Sequence, residues 1–399
     1  MGHRYYHHPL HTKAQNPPMT FSYLNIAIIC FAYLGIVFAI AYSTEKGWIA
    51  NRLVTHPITY IFSLGIFASA WSFYGIIDLA GQYGYGALTY YGGTGALFLF
   101  GGLALKPLVE LAKRFQITSM ADLLVFRYHS NPVGAVVTVM MLAAMIPLLV
   151  LQLQAVTNTI HLVTVDPATN TLEETSRFGV KQSLALIYCA VIAVFATIFG
   201  SNREHHKGLI TAMAFESLVK MFGLLAIGGF AIYTVFNGTS GLDQWLQSNP
   251  QHLVALNTTL EKTPVHTLLL VFIATTISMP HIFHMTVVEN PHRSTSETLS
   301  WAFPLFLFFM ALPIFPILWG GYAQDLTVPT EYFTLAVPLA AKSSTFTIIA
   351  FVGGLSAATG ALIAISLALS TMILNHWILP ITKLRVNKDV YRQLIWMRR

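Results

Sequence analysis

Two charged side chains stand inside a long apolar stretch of this chain, where ionised groups are costly. Glu216 and Lys220 lie four residues apart in the run from Leu209 to Phe236. This spacing places them on one face of a helix with the acidic residue first, which is the favourable order. A lone charge at the centre of a spanning helix costs about 2.5–3.5 kcal/mol on insertion scales. The spacing therefore favours a structural ion pair over a proton relay.

Other polar side chains in apolar stretches each have two interpretations. His281 and His284 are three residues apart. Both fit hydrogen-bonded buried histidines, and His281 also fits a ligand-binding or proton-carrying group, because histidine titrates in the physiological range. Gln152 and Gln154, in the run from Pro132 to Val156, could line a binding site or make hydrogen bonds between helices.

A segment of small and hydroxyl residues interrupts the apolar run from Pro57 to Leu79. It reads GIFASAWSFYGIID and extends from Gly65 to Asp78. Small residues are common where transmembrane helices pack closely. A helix that opens at such a segment can also present carbonyl and hydroxyl groups to a ligand in the middle of the membrane. Both interpretations, close packing and a ligand site, fit the sequence.

The composition is that of an integral membrane protein. Hydrophobic residues make up 55% of the 399 residues, charged residues 10%, and the mean hydropathy is +0.62, whereas globular proteins carry about 25% charged residues. The apolar runs have the length of spanning helices rather than the roughly 9–11 residues of barrel strands. The expected fold is therefore all-α. The net charge of +6 is expected to reside in cytoplasmic loops rather than on a nucleic-acid surface.

Sequence motifs of catalysis and of metal binding are missing from the chain. It contains no HExxH, GxSxG or phosphate-binding loop, and Cys30 and Cys189 fall in apolar runs, where thiols usually only pack. We therefore expect neither an enzyme nor a Cys-based metal site. The histidines before Thr20 are expected to belong to a polar tail rather than to a signal peptide.

Nine apolar runs are long enough to cross a bilayer, for which a helix needs about 20 mostly apolar residues. They predict a transmembrane domain at residues 21–380, between a polar tail at residues 1–20 and a basic tail at residues 381–399. The predicted spans are Tyr23–Tyr42, Pro57–Leu79, Gly86–Leu108, Pro132–Val156, Ser183–Gly200, Leu209–Phe236, His266–Val288, Leu299–Trp319 and Phe346–Ile373.

The distribution of positive charge between the predicted loops indicates the orientation. Of the 22 Lys and Arg residues, 15 fall on the side of the C-terminus, 6 on the side of the N-terminus, and Lys220 inside a span. Lys and Arg accumulate in cytoplasmic loops. The C-terminus is therefore expected in the cytoplasm and the N-terminus outside.

Four segments resemble the sodium:solute symporter family, whose core is of the LeuT type. The segment ITSMADLLVFRY is general to that family. The two segments nearest the C-terminus most resemble the transporter-like N-terminal module of CbrA-type bacterial sensor histidine kinases. The resemblance extends from Tyr23 to Ile373. Its segments are residues 68–75 (ASAWSFYG), 117–128 (ITSMADLLVFRY), 206–220 (HKGL running into FESLVK) and 280–290 (PHI followed by VVEN).

This resemblance implies two inverted repeats of five helices, with solute and ions held where the first helix of each repeat is interrupted. The runs Pro57–Leu79 and His266–Val288 correspond to these two helices. Pro280 is expected to break the second one, because proline removes a helical hydrogen bond. By the same resemblance, the solute site would contain Ser69, Trp71, Ser72, Tyr74, Gln152, Ser278 and His281.

The resemblance also implies a sodium site between the first and eighth core helices. We expect sodium binding there to be weak or absent. Gly360 offers no hydroxyl where the family usually has Ser or Thr, and Ala70 replaces an Asp that many members carry. A proton on His281 is the expected substitute, so the coupling ion would be Na⁺ or H⁺, with no other cofactor. The implied ion site consists of Ala68, Trp71, Ser356, Thr359 and Gly360.

The leading prediction is a secondary transporter in the bacterial inner membrane that moves a small organic solute, an amino acid being one candidate. The alternative is the solute-sensing input module of a two-component sensor histidine kinase. Because eight of ten core helices are recognised, the expected partners besides lipid and solute are a kinase portion or the two remaining helices. By itself the chain is expected to transport poorly. A channel is less favoured, because no repeated selectivity loop is visible.

The predicted orientation can be tested with reporter fusions. Fusions after Arg114 and Arg399 should report a cytoplasmic location, and fusions after Gly84 and Asn257 an external one. The opposite pattern would overturn the list of spans.

Overall fold

The computed structural model describes residues 20–164, 180–199, 207–262, 264–290 and 295–381, which are helical or in turns, with no β-strand among them. The two predicted tails lie outside these residues, except for Thr20 and Ile381. In chain order the helices are α1 Tyr23–Glu45, α2 Asn51–Val54, α3 Pro57–Ser63, α4 Ile76–Tyr83, α5 Thr89–Leu99, α6 Gly101–Phe115, α7 Met120–Tyr128, α8 Asn131–Thr164, α9 Val180–Phe199, α10 Lys207–Phe230, α11 Thr239–Ser248, α12 Pro250–Lys262, α13 Val265–Ser278, α14 Pro280–Phe283, α15 Thr295–Ala311, α16 Ile314–Ala323, α17 Phe333–Ala340, α18 Ser344–Ile373 and α19 Leu379–Ile381.

The all-α prediction is confirmed, and each of the nine predicted spans falls on helix in the described part of the chain. Five helical segments there are long and apolar enough to cross a membrane unbroken. Two further spans are sharply bent, one by 78° between Pro57–Phe67 and Trp71–Leu99, the other by 62° between Val265–Ser278 and Pro280–Val288. The chain is thus a multi-pass helical membrane protein.

Helix α18 lies at the centre of the bundle. In its most apolar window of 18 residues, 83% of the residues are buried, against 28% in α1 and 22% in α8. It packs against α8, α10 and α17. Helix α10 in turn contacts α1 and α3, so the helix with the two intramembrane charges lies between α18 and the first bent span.

A second group of contacts surrounds α5, which packs against α13 and α15. Because α13 belongs to the second bent span and α5 forms the last part of the first, α5 connects the two bent spans. This arrangement brings together the two helices that the sequence pairs as first members of inverted repeats.

The segment of residues 117–128 forms a capped helix that contacts the end of α18. Ser119 accepts a hydrogen bond from the amide of Asp122 at 3.1 Å, and Asp122 accepts bonds from the amide and hydroxyl of Thr118 at 2.9 and 2.6 Å. The Nε2 atom of His376 lies 2.9 Å from the other carboxylate oxygen. Burial raises the pKa of Asp122, but the hydrogen bonds from His376 and Thr118 outweigh it and keep that pKa below its usual value.

The turn between α4 and α5 depends on a glycine. Gly84 has φ +54° and ψ −133°, a conformation that side chains disfavour, and a methyl group on it would lie 2.7 Å from the Cα atom of Leu256 in α12. The turn and α12 therefore lie on the same side of the bundle. This agrees with the topology prediction, which assigns Gly84 and Asn257 to one side.

We expect Gly84→Ala to lower the free energy of unfolding by about 2 kcal/mol or more, because it adds overpacking to backbone strain. Thermal unfolding of the purified protein measures the change. Gly47→Ala is the matched control, because Gly47 also has a positive φ, +74°, but open space around it. Equal losses in the two variants would show that the contact with Leu256 is unimportant.

Candidate functional site

The first bent span breaks at Ala68. Its first half ends in a 3₁₀ turn at Leu64–Phe67, Ala68 has φ −75° and ψ 79°, and regular structure resumes at Trp71 with one π-helical turn. The ψ angle of Ala68 rotates its carbonyl group away from the helix axis. The break predicted from the small-residue segment is therefore present, and it exposes backbone groups inside the bundle.

The second bent span breaks at Met279, which has φ −64° and ψ 122° and is directly followed by Pro280. An extended conformation is the one expected for a residue that precedes proline. The prediction that Pro280 interrupts this helix is confirmed.

Aromatic rings surround Tyr90 on α5, next to the first break. The centroid of its ring lies 4.9 Å from that of Phe67, 4.8 Å from that of Trp71 and 5.3 Å from that of Phe272 on α13. Trp71 is half-buried, whereas Phe67 and Tyr90 are buried. The face of Trp71 that remains free is a surface on which a small solute can pack.

The two breaks lie at similar depth in the bundle. Thr94, one turn after Tyr90 on α5, has its hydroxyl 2.9 Å from that of Thr276, three residues before Met279. A helical turn rises only about 5.4 Å. On the far side of the breaks, the Tyr60 hydroxyl donates to the carbonyl of Met285 at 2.8 Å, so the halves Pro57–Phe67 and Pro280–Val288 are joined as well.

Gln152 on α8 caps the first break. It is fully buried, and its Oε1 atom accepts a hydrogen bond of 2.8 Å from the amide of Ala70, where the helix restarts. Its Nε2 atom donates to the carbonyl of Leu148 at 3.2 Å. Of the two interpretations of Gln152, this geometry matches the hydrogen bond between helices, whereas Gln154 is exposed.

Lys220 on α10 reaches the first break from the opposite side. Its Nζ atom donates hydrogen bonds to the carbonyl oxygens of Gly65 at 3.2 Å and Ala68 at 3.0 Å. The side chain is fully buried. Among the Lys and Arg residues whose side chains the structure describes, Lys220 is the only one that is buried.

Glu216, one turn earlier on α10, is also fully buried. Its Oε1 atom accepts a hydrogen bond of 3.3 Å from the hydroxyl of Tyr33 on α1, and its Oε2 atom has no hydrogen-bond partner in the described part of the chain. Glu216 and Lys220 thus lie one turn apart on α10, but their hydrogen bonds go to different partners, and the ion pair between them stays a prediction. Their mutual attraction acts across one helical turn rather than through a direct contact.

The hydroxyls predicted for the ion site on α18 bond to protein groups. Ser356 donates to the backbone carbonyl of Glu216 at 2.6 Å. Thr359 donates to the carbonyl of Leu355 at 2.8 Å and lies 2.7 Å from the hydroxyl of Tyr188. A methyl group on Gly360 would lie 2.9 Å from the Oε2 atom of Glu216. The carboxylate therefore occupies the side of α18 where a hydroxyl at position 360 would project.

The predicted solute residues differ in their accessibility. Ser278 is exposed beside the second break, although its hydroxyl bonds to the carbonyl of Ala274. Ser69 and Ser72 are buried, and the Ser72 hydroxyl donates to the carbonyl of Ser69 at 2.9 Å. Tyr74 is buried, with its hydroxyl 3.5 Å from the carbonyl of Ala350 on α18. Trp71 and Ser278 are therefore the members of this set with free surface.

His281 belongs to a buried polar group on the second half of the second bent span. Its side chain is 3% exposed, and its Nδ1 atom has no hydrogen-bond partner among the described residues. Nearby in sequence, the Nε2 atom of His284 lies 3.4 Å from the carboxylate of Glu289. His281 is therefore enclosed within the protein, without the hydrogen bond at Nδ1 that a satisfied buried histidine would make to the described residues.

Sequence reasoning missed the aromatic residues around the first break. Tyr90 and Phe272 lie in different spans, and their side chains meet only because α5 and α13 pack together. Tyr90 and Thr94 are one helical turn apart and therefore lie on the same face of α5. This spacing was the signal in the sequence that one face of α5 contacts both breaks.

Comparisons with known proteins place this geometry in a structural class. No family model and no curated protein matches the chain. The solved structure of a Na⁺-coupled sialic acid symporter, in a substrate-bound outward-open state, matches it with a TM-score of 0.54 over 94% of this chain and 77% of the symporter. The chain has a LeuT-like fold.

The sequence identity to that symporter is 13%, so the likeness concerns the fold. The LeuT-like fold agrees with the inverted-repeat core implied by the family resemblance. The comparison lends no support to the CbrA-type resemblance or to a kinase partner.

The cap at the first break predicts a selective effect of Gln152. We expect Gln152→Leu to lower the free energy of unfolding by about 1–3 kcal/mol, because the buried amide of Ala70 loses its acceptor. Thermal unfolding measures the loss. Gln154→Leu, on an exposed position of the same helix, is the control and should change little. Equal effects in both variants would show that the bond to Ala70 is not stabilising.

The two buried charges predict a non-additive result. Glu216→Gln or Lys220→Met alone should reduce the amount of inserted protein, because each leaves one charge uncompensated, whereas the double variant should recover much of it. Immunoblots of the membrane fraction measure the inserted amounts of the wild type, the two single variants and the double variant, which together form a double-mutant cycle. Strictly additive losses would argue against any coupling between Glu216 and Lys220.

Proposed function

We propose that this protein is a secondary transporter that moves a small organic solute across the membrane by alternating access. The observation that carries the proposal is the pair of broken spans, joined through Tyr90 and Thr94 of α5 at similar depth. Interrupted helices in corresponding positions of two repeats are the characteristic solute site of secondary transporters. The LeuT-like fold of the chain supports the same function.

The solute is proposed to bind between the free surface of Trp71 and the second break near Ser278. Aromatic faces bind apolar groups and cations well. Lys220, the one buried Lys or Arg among those whose side chains the structure describes, already bonds to two carbonyls. This chemistry favours a solute with an apolar or cationic group, and an amino acid with such a side chain is one candidate.

A binding and counterflow experiment tests the proposal. The probes are a mixture of radiolabelled amino acids and, separately, radiolabelled sialic acid. We expect saturable amino-acid binding to the purified protein. Exchange of the bound amino acid across proteoliposomes preloaded with the unlabelled compound should be slow but measurable, because the chain by itself is expected to transport poorly. Counterflow requires no ion gradient, so its outcome is independent of the coupling ion. Binding without any counterflow would contradict transport and favour a sensor.

The aromatic site predicts the effect of a single substitution. Trp71→Ala should weaken amino-acid binding by about tenfold, equivalent to ~1.4 kcal/mol. Trp301→Ala is the control, because Trp301 is 57% exposed on the outside of α15. Unchanged binding in Trp71→Ala would place the solute elsewhere.

A further inference from the structure

The carbonyl groups at the first break form a cation-binding position that a side chain of the protein already fills. The oxygen of Ala68 lies at the break and that of Gly65 in the turn before it, where it also accepts a hydrogen bond from the amide of Ala68 at 2.9 Å. Both accept hydrogen bonds from Lys220 Nζ, at 3.2 Å for Gly65 and 3.0 Å for Ala68. Unwound backbone carbonyls at such a break are typical ligands of a coupling cation in secondary transporters. Here the cation is an ammonium group attached to α10.

We propose that the ammonium of Lys220 permanently replaces a sodium ion at the first break, so that the broken helix is held in place without bound sodium. The proposal extends the proposed transport function by naming the cation of its site. Its test below measures ion binding rather than transport, so the proposal about Lys220 and the proposed transport function can fail independently of each other.

The charges around this position are those that a bound cation would require. Glu216 supplies a buried carboxylate one turn from Lys220 on the same helix, so the pair adds no net charge to the bundle. Its Oε2 atom has no hydrogen-bond partner among the described residues and faces Gly360 on α18. The carboxylate thus compensates the ammonium from the side of α18, where a sodium site would need an oxygen ligand.

The hydroxyl groups of α18 already have hydrogen-bond partners within the protein. Ser356 donates its hydroxyl proton to the carbonyl of Glu216, and Thr359 bonds to Leu355 and lies next to the Tyr188 hydroxyl. Gly360 has no hydroxyl, and a methyl group there would lie 2.9 Å from the Oε2 atom of Glu216, so that the carboxylate would have to shift. Since hard cations prefer a full shell of oxygens, two carbonyls already bonded to an ammonium make a poor sodium site.

A second cation is also excluded by charge. Sodium at the same carbonyls would lie within a few ångströms of the Lys220 ammonium inside a bundle of low dielectric constant, where like charges repel strongly. Occupation by Lys220 and occupation by sodium are therefore mutually exclusive. Removing the Lys220 side chain should open the position to sodium.

Thermal unfolding of the purified full chain tests this exchange, with NaCl compared with choline chloride at equal ionic strength and pH. The wild-type protein should unfold at the same temperature in both salts. Lys220→Ala should unfold at a lower temperature in choline chloride, and NaCl should raise that temperature by about 2–5 °C, because a bound ligand stabilises the folded state. Lys207→Ala, an exposed position at the start of the same helix, is the matched control and should behave as the wild type.

Two results would overturn the proposal. One is stabilisation of the wild-type protein by sodium relative to choline. The other is a folded Lys220→Ala variant that responds equally to both salts. If Lys220→Ala does not fold, the double variant Glu216→Gln/Lys220→Ala replaces it, because it leaves no uncompensated charge. In this double variant, NaCl should raise the unfolding temperature above that in choline chloride, but by less than in Lys220→Ala. Equal unfolding temperatures in the two salts would again overturn the proposal.

Discussion

The main physical constraint on this structure is the need to satisfy backbone polar groups at two helix breaks inside a membrane-embedded bundle. In hydrocarbon, each unpaired amide or carbonyl costs several kcal/mol. The protein meets this demand at the first break with side chains from two other helices. Gln152 accepts from the amide of Ala70, and Lys220 donates to the carbonyls of Gly65 and Ala68. The broken helix therefore depends on α8 and α10 for its conformation.

This dependence explains why a buried lysine is tolerated. Lys220 places its charge on carbonyl dipoles, and Glu216 compensates it from one turn away, with Tyr33 bonded to that carboxylate. The carboxylate in turn lies next to Gly360, where a methyl group would be 2.9 Å from its Oε2 atom and would require it to shift. By the family resemblance, Gly360 is a missing sodium ligand. In the structure it lies beside the carboxylate that compensates the charge of Lys220.

The fold and the ion chemistry of this protein are separate properties. Its structural neighbour is described as a Na⁺-coupled symporter, and the two chains share a LeuT-like fold at 13% identity. A fold holds helices in place, whereas ion binding depends on the atoms at a few positions. At the first break those atoms are an ammonium, a carboxylate and hydroxyls bonded to other groups. If Lys220 replaces sodium as proposed, the same architecture operates with a cation that belongs to the protein.

The sequence by itself determined the fold class, the helical segments and the break at Pro280, because these depend on local properties: hydropathy over about 20 residues and the missing amide hydrogen of proline. For the small residues at 65–75 it left close packing and a helix break as alternatives, and the structure shows the break. The sequence also singled out Glu216 and Lys220, since charges are rare in apolar spans. Only the tertiary structure decided their partners. Lys220 reaches carbonyls more than 150 residues away, and Tyr90 meets Phe272 because α5 packs on α13. Such contacts depend on how helices pack, which no local pattern of residues encodes.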